Sequence, residues 1–478
     1  MVDRTTTRAS WTLAVVFTVM FLVSLDLSIV NVALPDIDAD LRFTGSSLSW
    51  VVNAYLLTFA GLMLLGGRLG DLVGRRTLLL AGLAVFAIAS GLGGLAQTGW
   101  QLLAARAVQG AAAAVLSPMS LTLVTSEFPE GPARAKAMAV WGGAGAAGGA
   151  AGVVLSGILT EYAGWRAVMW VNVLFAAAAA TAARRGADNL IARRAGRLDV
   201  TGALLATAGV SALVVAVIST ERHAWTSGPV LGWTAAGLVA VAAFVAVEAR
   251  VQNPLVPLTF FRERALIGAT VFGFLLASAQ FAGFYFVSLV MQRVLGYRPV
   301  VTGLAFLPFC VGVVVGLRIA ISAIGKYGPR PLMLIGGLLG AVGLLWFGYA
   351  DPETTFAGGL VGPSLVASIG IGAATVAMGV AATTGVPAEQ SGLASGILNS
   401  ARQLGGSLGL AVLATVAADT TGTSTDHASL AHGYDTALRL AAAFLAAAAV
   451  LATTILRRTT PRPIPEAAGD GVERISRR

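Results

Sequence analysis

Residues 21–37 read FLVSLDLSIVNVALPDI, and this apolar stretch places the carboxylate of Asp26 deep inside a segment long enough to cross a bilayer. A charged side chain at the centre of a membrane helix costs roughly 2.5 to 3.5 kcal/mol on insertion scales, so it usually faces a partner or a wet cavity. We therefore predict that Asp26 carries a proton. The alternative is a neutral acid that is hydrogen-bonded to another helix.

The composition excludes an ordinary water-soluble domain. Of 478 residues, 56% are hydrophobic and only 12% are charged, and the mean hydropathy is +0.80. Because each span needs about 20 residues, the chain accommodates about fourteen spans. The predicted fold is an all-α polytopic membrane protein. Its spans are expected at 11–34, 50–66, 77–97, 101–124, 137–159, 166–183, 200–220, 230–249, 266–290, 301–323, 331–350, 356–379, 392–417 and 435–456.

The net charge of +9 is distributed in a way that argues against a nucleic-acid partner. Most Lys and Arg residues fall in the loops on the same side as the N-terminus, which predicts cytoplasmic N- and C-termini. The first apolar run is full length and lacks a convincing cleavage site, so we expect an uncleaved signal anchor. The densest basic run is expected to anchor the topology near anionic membrane lipid. It comprises Arg184, Arg185, Arg193, Arg194 and Arg197.

The order of the spans divides the chain into two similar halves around an insert. We expect an N-terminal six-helix half at 1–183, a basic loop with two inserted helices at 184–265, and a C-terminal six-helix half at 266–456. Transporters built from such repeats bind substrate between halves that rock about a central site. The insert is expected to be scaffold or lipid-facing packing, and the tail at 457–478 is expected to be disordered.

The segment GGRLGDLVGRRT, at 66–77, is the most specific motif. Its glycines permit a tight turn between two helices, and the acid is predicted near the start of the second helix, where the helix dipole favours it. A charge pair that joins neighbouring helices can hold one conformation. The alternative is a surface loop whose arginines only set the topology. The predicted conformational latch comprises Gly67, Asp71, Gly74, Arg75 and Arg76.

This loop resembles the cytoplasmic signature of the major facilitator superfamily, and three further motifs resemble its fourteen-span drug:proton antiporter branch. They are LDLSIVNVALP at 25–35, RAVQGAAAA at 106–114 and VPAEQSGLASGILNSARQLGGSLG at 386–409. The sequence departs from the family pattern at Leu72, where a basic residue is usual, and at Val153, where proline is usual. The first departure loosens the predicted latch, and the second weakens the inference of antiport direction.

Arg106 lies a few residues into the fourth span, with Gln109 three residues later on the same face. We expect both to face the bundle interior, although an arginine near a span end can also snorkel to the interface. The family resemblance implies that Arg106 interacts with the first span and couples protonation of Asp26 to substrate occupancy. Burial favours the neutral acid and a nearby arginine favours the carboxylate, so movement between the two environments loads and releases a proton.

Polar and aromatic side chains on other spans predict a substrate cavity. Asn399, Arg402 and Gln403 form one stripe on an apolar helix. Amides and aromatic rings suit an amphipathic organic substrate, although aromatic residues at helical spacing also serve packing. The remaining predicted cavity residues are Asn53, Tyr55, Gln109, Gln280, Phe281, Phe284 and Tyr285.

The fifth span, WGGAGAAGGAAGVVLSG from Trp141, carries small residues at helical spacing. Gly145 pairs with Gly149 and Gly148 pairs with Gly152, which predicts close helix packing. In the family that this chain resembles, the span slides against the second half, and plain tight packing is the alternative.

Several function classes are excluded by what the sequence lacks. Lys136 and Lys326 are the only lysines, and neither completes a GxxxxGK phosphate-binding loop, so energy must come from a gradient. No nucleophile with a base, metal cluster or cofactor motif points to an enzyme, and Cys310, the only cysteine, allows no internal disulfide. The expected function is proton-coupled export of small organic compounds by a monomer in a bacterial cell membrane. A facilitator or importer of one metabolite is the alternative, because fold alone fixes neither direction nor substrate.

Overall fold

A computed structural model describes residues 2–43, 45–128, 132–186, 199–220, 223–251, 254, 263–349, 356–386, 391–422 and 426–455. Within these ranges the protein is helical and contains no strand. The predicted tail at 457–478 lies outside the described residues, as do Arg193, Arg194 and Arg197 of the basic run. The all-α prediction is confirmed.

Fifteen α-helices are described, and α10 and α11 together occupy the place of one predicted span. A short 3₁₀-helix precedes α2. One π-helical turn, Val290–Val294, follows α9, and another, Phe356–Val361, precedes α13. The helices are α1 Val2–Leu41, α2 Trp50–Val73, α3 Arg75–Gly94, α4 Gly99–Glu127, α5 Pro132–Ala163, α6 Trp165–Gly186, α7 Val200–Ser219, α8 Gly228–Glu248, α9 Arg264–Leu289, α10 Pro299–Ala305, α11 Leu307–Tyr327, α12 Pro329–Phe347, α13 Gly362–Thr383, α14 Ser391–Thr421 and α15 His427–Ile455.

Twelve helices among the described residues are long and apolar enough to cross a membrane. Two further apolar stretches, Ser47–Met63 and Thr201–Val217, are shorter than a full span. The first runs from the 3₁₀-helix into α2, and the second lies within α7. Every predicted span therefore corresponds to helical structure, whereas the count of fourteen membrane crossings stays a prediction.

The helices pack as two six-helix groups. In the first group α1 contacts α4, α5 and α6, and α3 packs against α4 and α6. In the second group α9 contacts α13, α14 and α15, and α12 packs against α13 and α15. The two groups meet where α2 contacts α14 and where α5 contacts α10 and α11. These contacts leave a cavity between the groups.

The inserted helices differ from one another in their surroundings. Helix α7 packs against both α2 and α14, and an added Cβ at Gly61 of α2 would lie 2.1 Å from Oγ1 of Thr207. Leu57, Val210 and Ala411 bury an apolar cluster across these three helices. Helix α8 contacts α7 and exposes most of its apolar surface. The insert thus includes one helix that touches both six-helix groups and one that faces outward.

The turn between α2 and α3 is shorter than the sequence predicted. Helix α2 continues to Val73, and Gly74 alone makes the turn with φ +93°, a conformation that favours glycine. Position 71 therefore lies in the last turn of α2, so the prediction that Asp71 stands near the start of the second helix was wrong. Arg75 begins α3. The side chain of Asp71 and the surroundings of Gly67 lie outside the described residues.

The glycines of α5 face two different surroundings. An added Cβ at Gly148 would lie 2.4 Å from the carbonyl oxygen of Phe21, and one at Gly152 would lie 2.0 Å from Oγ of Ser28. These two glycines permit the close approach of α5 to α1. Gly145 and Gly149 instead border the cavity between the groups. The stripe therefore divides into one face for packing and one for the cavity.

Candidate functional site

Asp26 of α1 and Arg106 of α4 form an ion pair inside the first six-helix group. Nη1 of Arg106 donates to Oδ2 of Asp26 at 2.7 Å, and the side chains of Arg106 and Asp26 are 1% and 0% exposed. Both residues lie in apolar stretches of long helices. The structure therefore brings together the two residues that the sequence nominated for proton coupling.

Two more helices, α6 and α2, form hydrogen bonds to this ion pair, and a third, α3, holds Gln109 beside it. Nδ2 of Asn172 on α6 donates to Oδ1 of Asp26 at 2.7 Å. Gln109 accepts from Nη1 of Arg106 at 3.1 Å through its Oε1, and its Nε2 donates to Oγ of Ser90 on α3 at 2.7 Å. Nε of Arg106 donates to the carbonyl oxygen of Val51 on α2 at 3.0 Å. Buried polar groups need such partners, and this network fixes the geometry of the pair.

A cavity of about 970 Å³ lies between the two six-helix groups. Ser24, Leu27 and Ser28 of α1 line it, whereas Asp26 does not. Asp26 therefore points into the first group and away from the cavity, because successive residues of a helix face different directions. Helix α1 carries the ion pair on one face and cavity wall on another.

Both groups contribute to the wall of this cavity. The first supplies Trp141 and three glycines of α5, at 142, 145 and 149, while the second supplies rings and amides from α9, α11 and α14. Phe284 packs edge-on against Phe309, with ring centroids 4.9 Å apart. Six of the predicted cavity residues lie in the wall: Gln280, Phe281, Phe284, Asn399, Arg402 and Gln403.

Four predicted cavity residues lie outside the cavity wall, which corrects their assignment. Tyr55 is fully buried, and its ring lies 4.5 Å from Cζ of Arg106, a cation–π contact with the ion pair. Gln109 belongs to the same hydrogen-bond network. Asn53 is buried near Ser49, and Tyr285 packs edge-on against Phe286. Helical periodicity placed these residues on inward faces, but it could not distinguish the group interior from the cavity.

One end of the bundle is closed by contacts between the two groups. Asp38 of α1 forms an ion pair with Arg293, and Glu161 of α5 forms one with Arg298. Oε2 of Glu161 also accepts from the backbone N–H of Val300 at 3.0 Å. We call this end, defined by these four charged residues, the closed end. The cavity-lining residues lie farther from it along α1, α5, α9 and α11.

Sequence reasoning missed Asn172 and the charged residues of the closed end. Asn172 is a lone amide in an apolar span, a signal of the same kind as Asp26, but its partner is 146 positions away. Asp38 and Arg293 lie near span ends, where exposed charges are common. The described residues contain no group of three or more His, Cys, Asp and Glu side chains placed to hold a metal ion.

Comparison with known proteins places the chain in a family. The Major Facilitator Superfamily model matches residues 16–410. The chain belongs to the Major Facilitator Superfamily. Members of this superfamily are membrane transporters and not enzymes. The predicted resemblance to this superfamily is therefore confirmed.

Curated relatives within the superfamily are named as antibiotic export and resistance proteins. The cephamycin export protein of Amycolatopsis lactamdurans is 42% identical over 412 residues, which cover 84% of each chain. The puromycin resistance protein of Streptomyces alboniger is 36% identical over 84% of this chain and 80% of its own. The tetracenomycin C resistance and export protein of Streptomyces glaucescens is 34% identical over 83% and 73% of the two chains.

Solved structures share the superfamily fold at low sequence identity. The nucleoside transporter NupG, as a point mutant, matches with a TM-score of 0.66 and 12% identity over 94% of this chain and all of its own. A bacterial homologue of the human lysosomal transporter Spinster, inward-facing and unoccupied, matches with a TM-score of 0.66, 14% identity, and coverage of 94% and 97%. These likenesses concern the fold alone.

Proposed function

We propose that this protein exports small amphipathic organic compounds of the antibiotic class across a bacterial cell membrane, in exchange for protons. Relatives that cover more than four fifths of the chain are named for export of cephamycin and for resistance to puromycin. A cavity of about 970 Å³ between two six-helix groups has the size of a drug-sized ligand site. Family, relatives and cavity support export of small molecules.

The observation that carries the proton coupling is the buried ion pair between Asp26 and Arg106. Protonation of Asp26 removes the charge that holds Arg106, and it leaves the guanidinium with Gln109, the carbonyl oxygen of Val51 and the ring of Tyr55. Because α1 carries Asp26 on one face and cavity wall on another, a shift of α1 on protonation changes the cavity. Proton and substrate are thereby linked without contact between them.

The alternating-access cycle uses the two ends of the bundle. With the N-terminus in the cytoplasm, the closed end defined by Asp38, Glu161, Arg293 and Arg298 faces outward, and the cavity opens inward to take up substrate. The turn at Gly74, with Arg75 and Arg76 beside it, and with Gly67 and Asp71 on α2, latches the opposite, outward-open state. The domain boundaries proposed are 1–183, 184–265 and 266–456.

The protein acts as a monomer, with its basic inner loops against anionic lipid and with both termini in the cytoplasm. Each proton that enters down a membrane potential of 100 mV supplies about 2.3 kcal/mol. One or two protons per cycle therefore sustain a useful substrate gradient. No further cofactor is required by this mechanism.

The test compares wild type with Asp26→Asn in proteoliposomes supplied with an exported antibiotic. Wild type is expected to concentrate substrate when a proton gradient is imposed, and Asp26→Asn is expected to lose this accumulation while it retains downhill exchange. Asp36→Asn, which removes a carboxylate ten positions further along the same helix, is the matched control. Full proton-driven export by Asp26→Asn would overturn the role of Asp26. Downhill flux without proton-driven accumulation in wild type would identify a facilitator.

A further inference from the structure

The cavity has a single charge among its described lining residues, and that charge is the guanidinium of Arg402. The other described lining residues are apolar or carry neutral hydroxyl, amide, indole and thiol groups. Arg106, which is buried in the interior of the first group, is already neutralised by Asp26. Arg402 is therefore the cation that a molecule in the cavity meets.

Packing holds Arg402 in place without neutralising it. Its aliphatic stem passes over Gly273 of α9, where an added Cβ would lie 3.2 Å from Cγ of Arg402. Its Nε atom is buried and has no hydrogen-bond partner. Among the described residues no carboxylate lies within ion-pair distance of its guanidinium. A guanidinium cannot deprotonate to escape burial, so its unused donors favour an anionic partner.

The surroundings of Arg402 specify more than charge. Gly406, one turn later on α14, lets the ring of Phe281 approach so closely that an added Cβ would lie 2.6 Å from Cδ2 of that ring. Phe284 stands next to it on α9 and stacks with Phe306, with ring centroids 5.4 Å apart. A planar donor fork beside apolar rings fits an oxyanion attached to a flat hydrophobic body.

We propose that the cavity selects amphipathic organic anions, with Arg402 as the residue that binds the carboxylate or a comparable oxyanion and with Phe281 and Phe284 as the wall for its apolar body. This inference rests on the proposed function, since it names the substrate class of the same cavity. The amides of Asn399 and Gln403, on the same face of α14, supply further polar contacts to the substrate.

The experiment uses three naphthalene probes that differ in charge: 2-naphthoic acid, 2-naphthamide and 2-naphthylmethylamine. Cys310 is the only cysteine of the chain and lines the cavity, so protection of its thiol from maleimide reports occupancy directly. In purified wild type, we expect the carboxylate to protect Cys310 at a concentration about tenfold lower than the amide, because a hydrogen bond to a charged group is worth about that factor. The amine is expected to protect least.

Variants separate the charge of Arg402 from general effects on the cavity. Arg402→Gln is expected to abolish the preference for the carboxylate, and Arg402→Lys is expected to retain part of it. Arg318→Gln removes the same charge from an exposed position on α11 that is not in the cavity wall, and it is expected to leave the preference unchanged. The ranking of the three probes on wild type needs no variant, so the test stands if Arg402→Gln fails to fold.

Parallel measurements of binding and transport distinguish the anion site from the proposed export. Equal protection by all three probes, stronger protection by the amine, or no protection by any probe would overturn the anion site. Movement of the probes across proteoliposomes is measured in parallel. Selective protection by the carboxylate without its transport would contradict the proposed export and leave the anion site intact. Transport of the probes without selectivity for the carboxylate would contradict the anion site and leave the proposed export intact.

Discussion

Nη1 of Arg106 and Oδ2 of Asp26 are 2.7 Å apart, although 80 positions separate the two residues in the chain. Four additional helix positions complete the network: Val51, Ser90, Gln109 and Asn172. A charge pair inside an apolar helix bundle is costly unless both partners are present. The stability of variants of Asp26 and Arg106 therefore tests whether the two residues are paired, independently of transport.

Removal of one partner of the pair is predicted to destabilise the protein more than removal of both charges. Arg106→Gln leaves a buried carboxylate, and Asp26→Asn leaves a buried guanidinium; such losses cost about 3 to 5 kcal/mol. The double variant carries neither charge. We expect its thermal unfolding midpoint in detergent to lie above that of either single variant. Additive losses in the double variant would contradict an energetic coupling between the two residues.

Asn172 is predicted to tune the coupling through its 2.7 Å hydrogen bond to Asp26. Asn172→Leu removes a donor to a charged group, and we expect proton-driven accumulation to fall by about tenfold while downhill exchange persists. Transport of an antibiotic into proteoliposomes under an imposed pH gradient measures this change. Asn53→Leu is the control, because it removes another buried amide of the first six-helix group. An equal loss in both variants would assign Asn172 to packing only.

The packing glycines of α5 are predicted to differ sharply from their neighbours. An added methyl at Gly152 would lie 2.0 Å from Oγ of Ser28, whereas at Gly149 it would meet nothing within 4 Å. We expect Gly152→Ala to cost about 1 to 3 kcal/mol of stability, a typical cost of overpacking, and Gly149→Ala to cost little. Thermal unfolding of the purified variants compares them. Similar midpoints for both would show that α5 does not pack closely against α1.

The closed end is predicted to control which side of the membrane reaches the cavity. In wild type, an impermeant maleimide is expected to label Cys310 from the cytoplasmic side. The double variant Glu161→Gln with Arg293→Gln removes one partner from each of the two ion pairs that define the closed end. We expect it to increase labelling from the outside. Unchanged labelling from both sides would show that these ion pairs do not hold the end closed.

The inserted helix α7 is predicted to depend on Gly61. An added Cβ there would lie 2.1 Å from Oγ1 and 2.7 Å from Cβ of Thr207, so Gly61→Ala should force α7 away from α2. We expect a lower unfolding midpoint that Thr207→Gly partly restores, because the second change removes the opposing atoms. Measurement of the two single variants and the double variant completes the cycle. If Thr207→Gly does not raise the midpoint of Gly61→Ala, the destabilisation does not come from a clash with Thr207.

Much of the fold could be predicted from the sequence because membrane helices satisfy their own backbone hydrogen bonds, which makes apolar length a direct signal. The second span shows the limit of that signal. Arg68 and Asp71 lower its local hydropathy, so its end was predicted at 66, whereas the helix continues to Val73.

The candidate site was predictable in its parts. A carboxylate at position 26 and an arginine at position 106 are conspicuous in apolar segments, and cavity residues on α9 and α14 follow from helical spacing. Tyr55 and Tyr285 show why the rest was not predictable. Spacing assigns residues to one face of a helix, but the helix that this face meets is set by packing. Tyr55 on α2 meets Arg106 on α4, and Tyr285 is buried outside the cavity wall.

The sequence by itself determined that this protein is a helical membrane transporter of the Major Facilitator Superfamily with a buried acid in its first span. Composition, span length and local motifs are properties of the sequence alone, so they can be recognised without a structure. Only the tertiary structure decided that Asp26 pairs with Arg106 and Asn172 and turns away from the cavity, while Arg402 faces it without a carboxylate partner among the described residues. Such relations join residues on different helices, and helix packing alone fixes them.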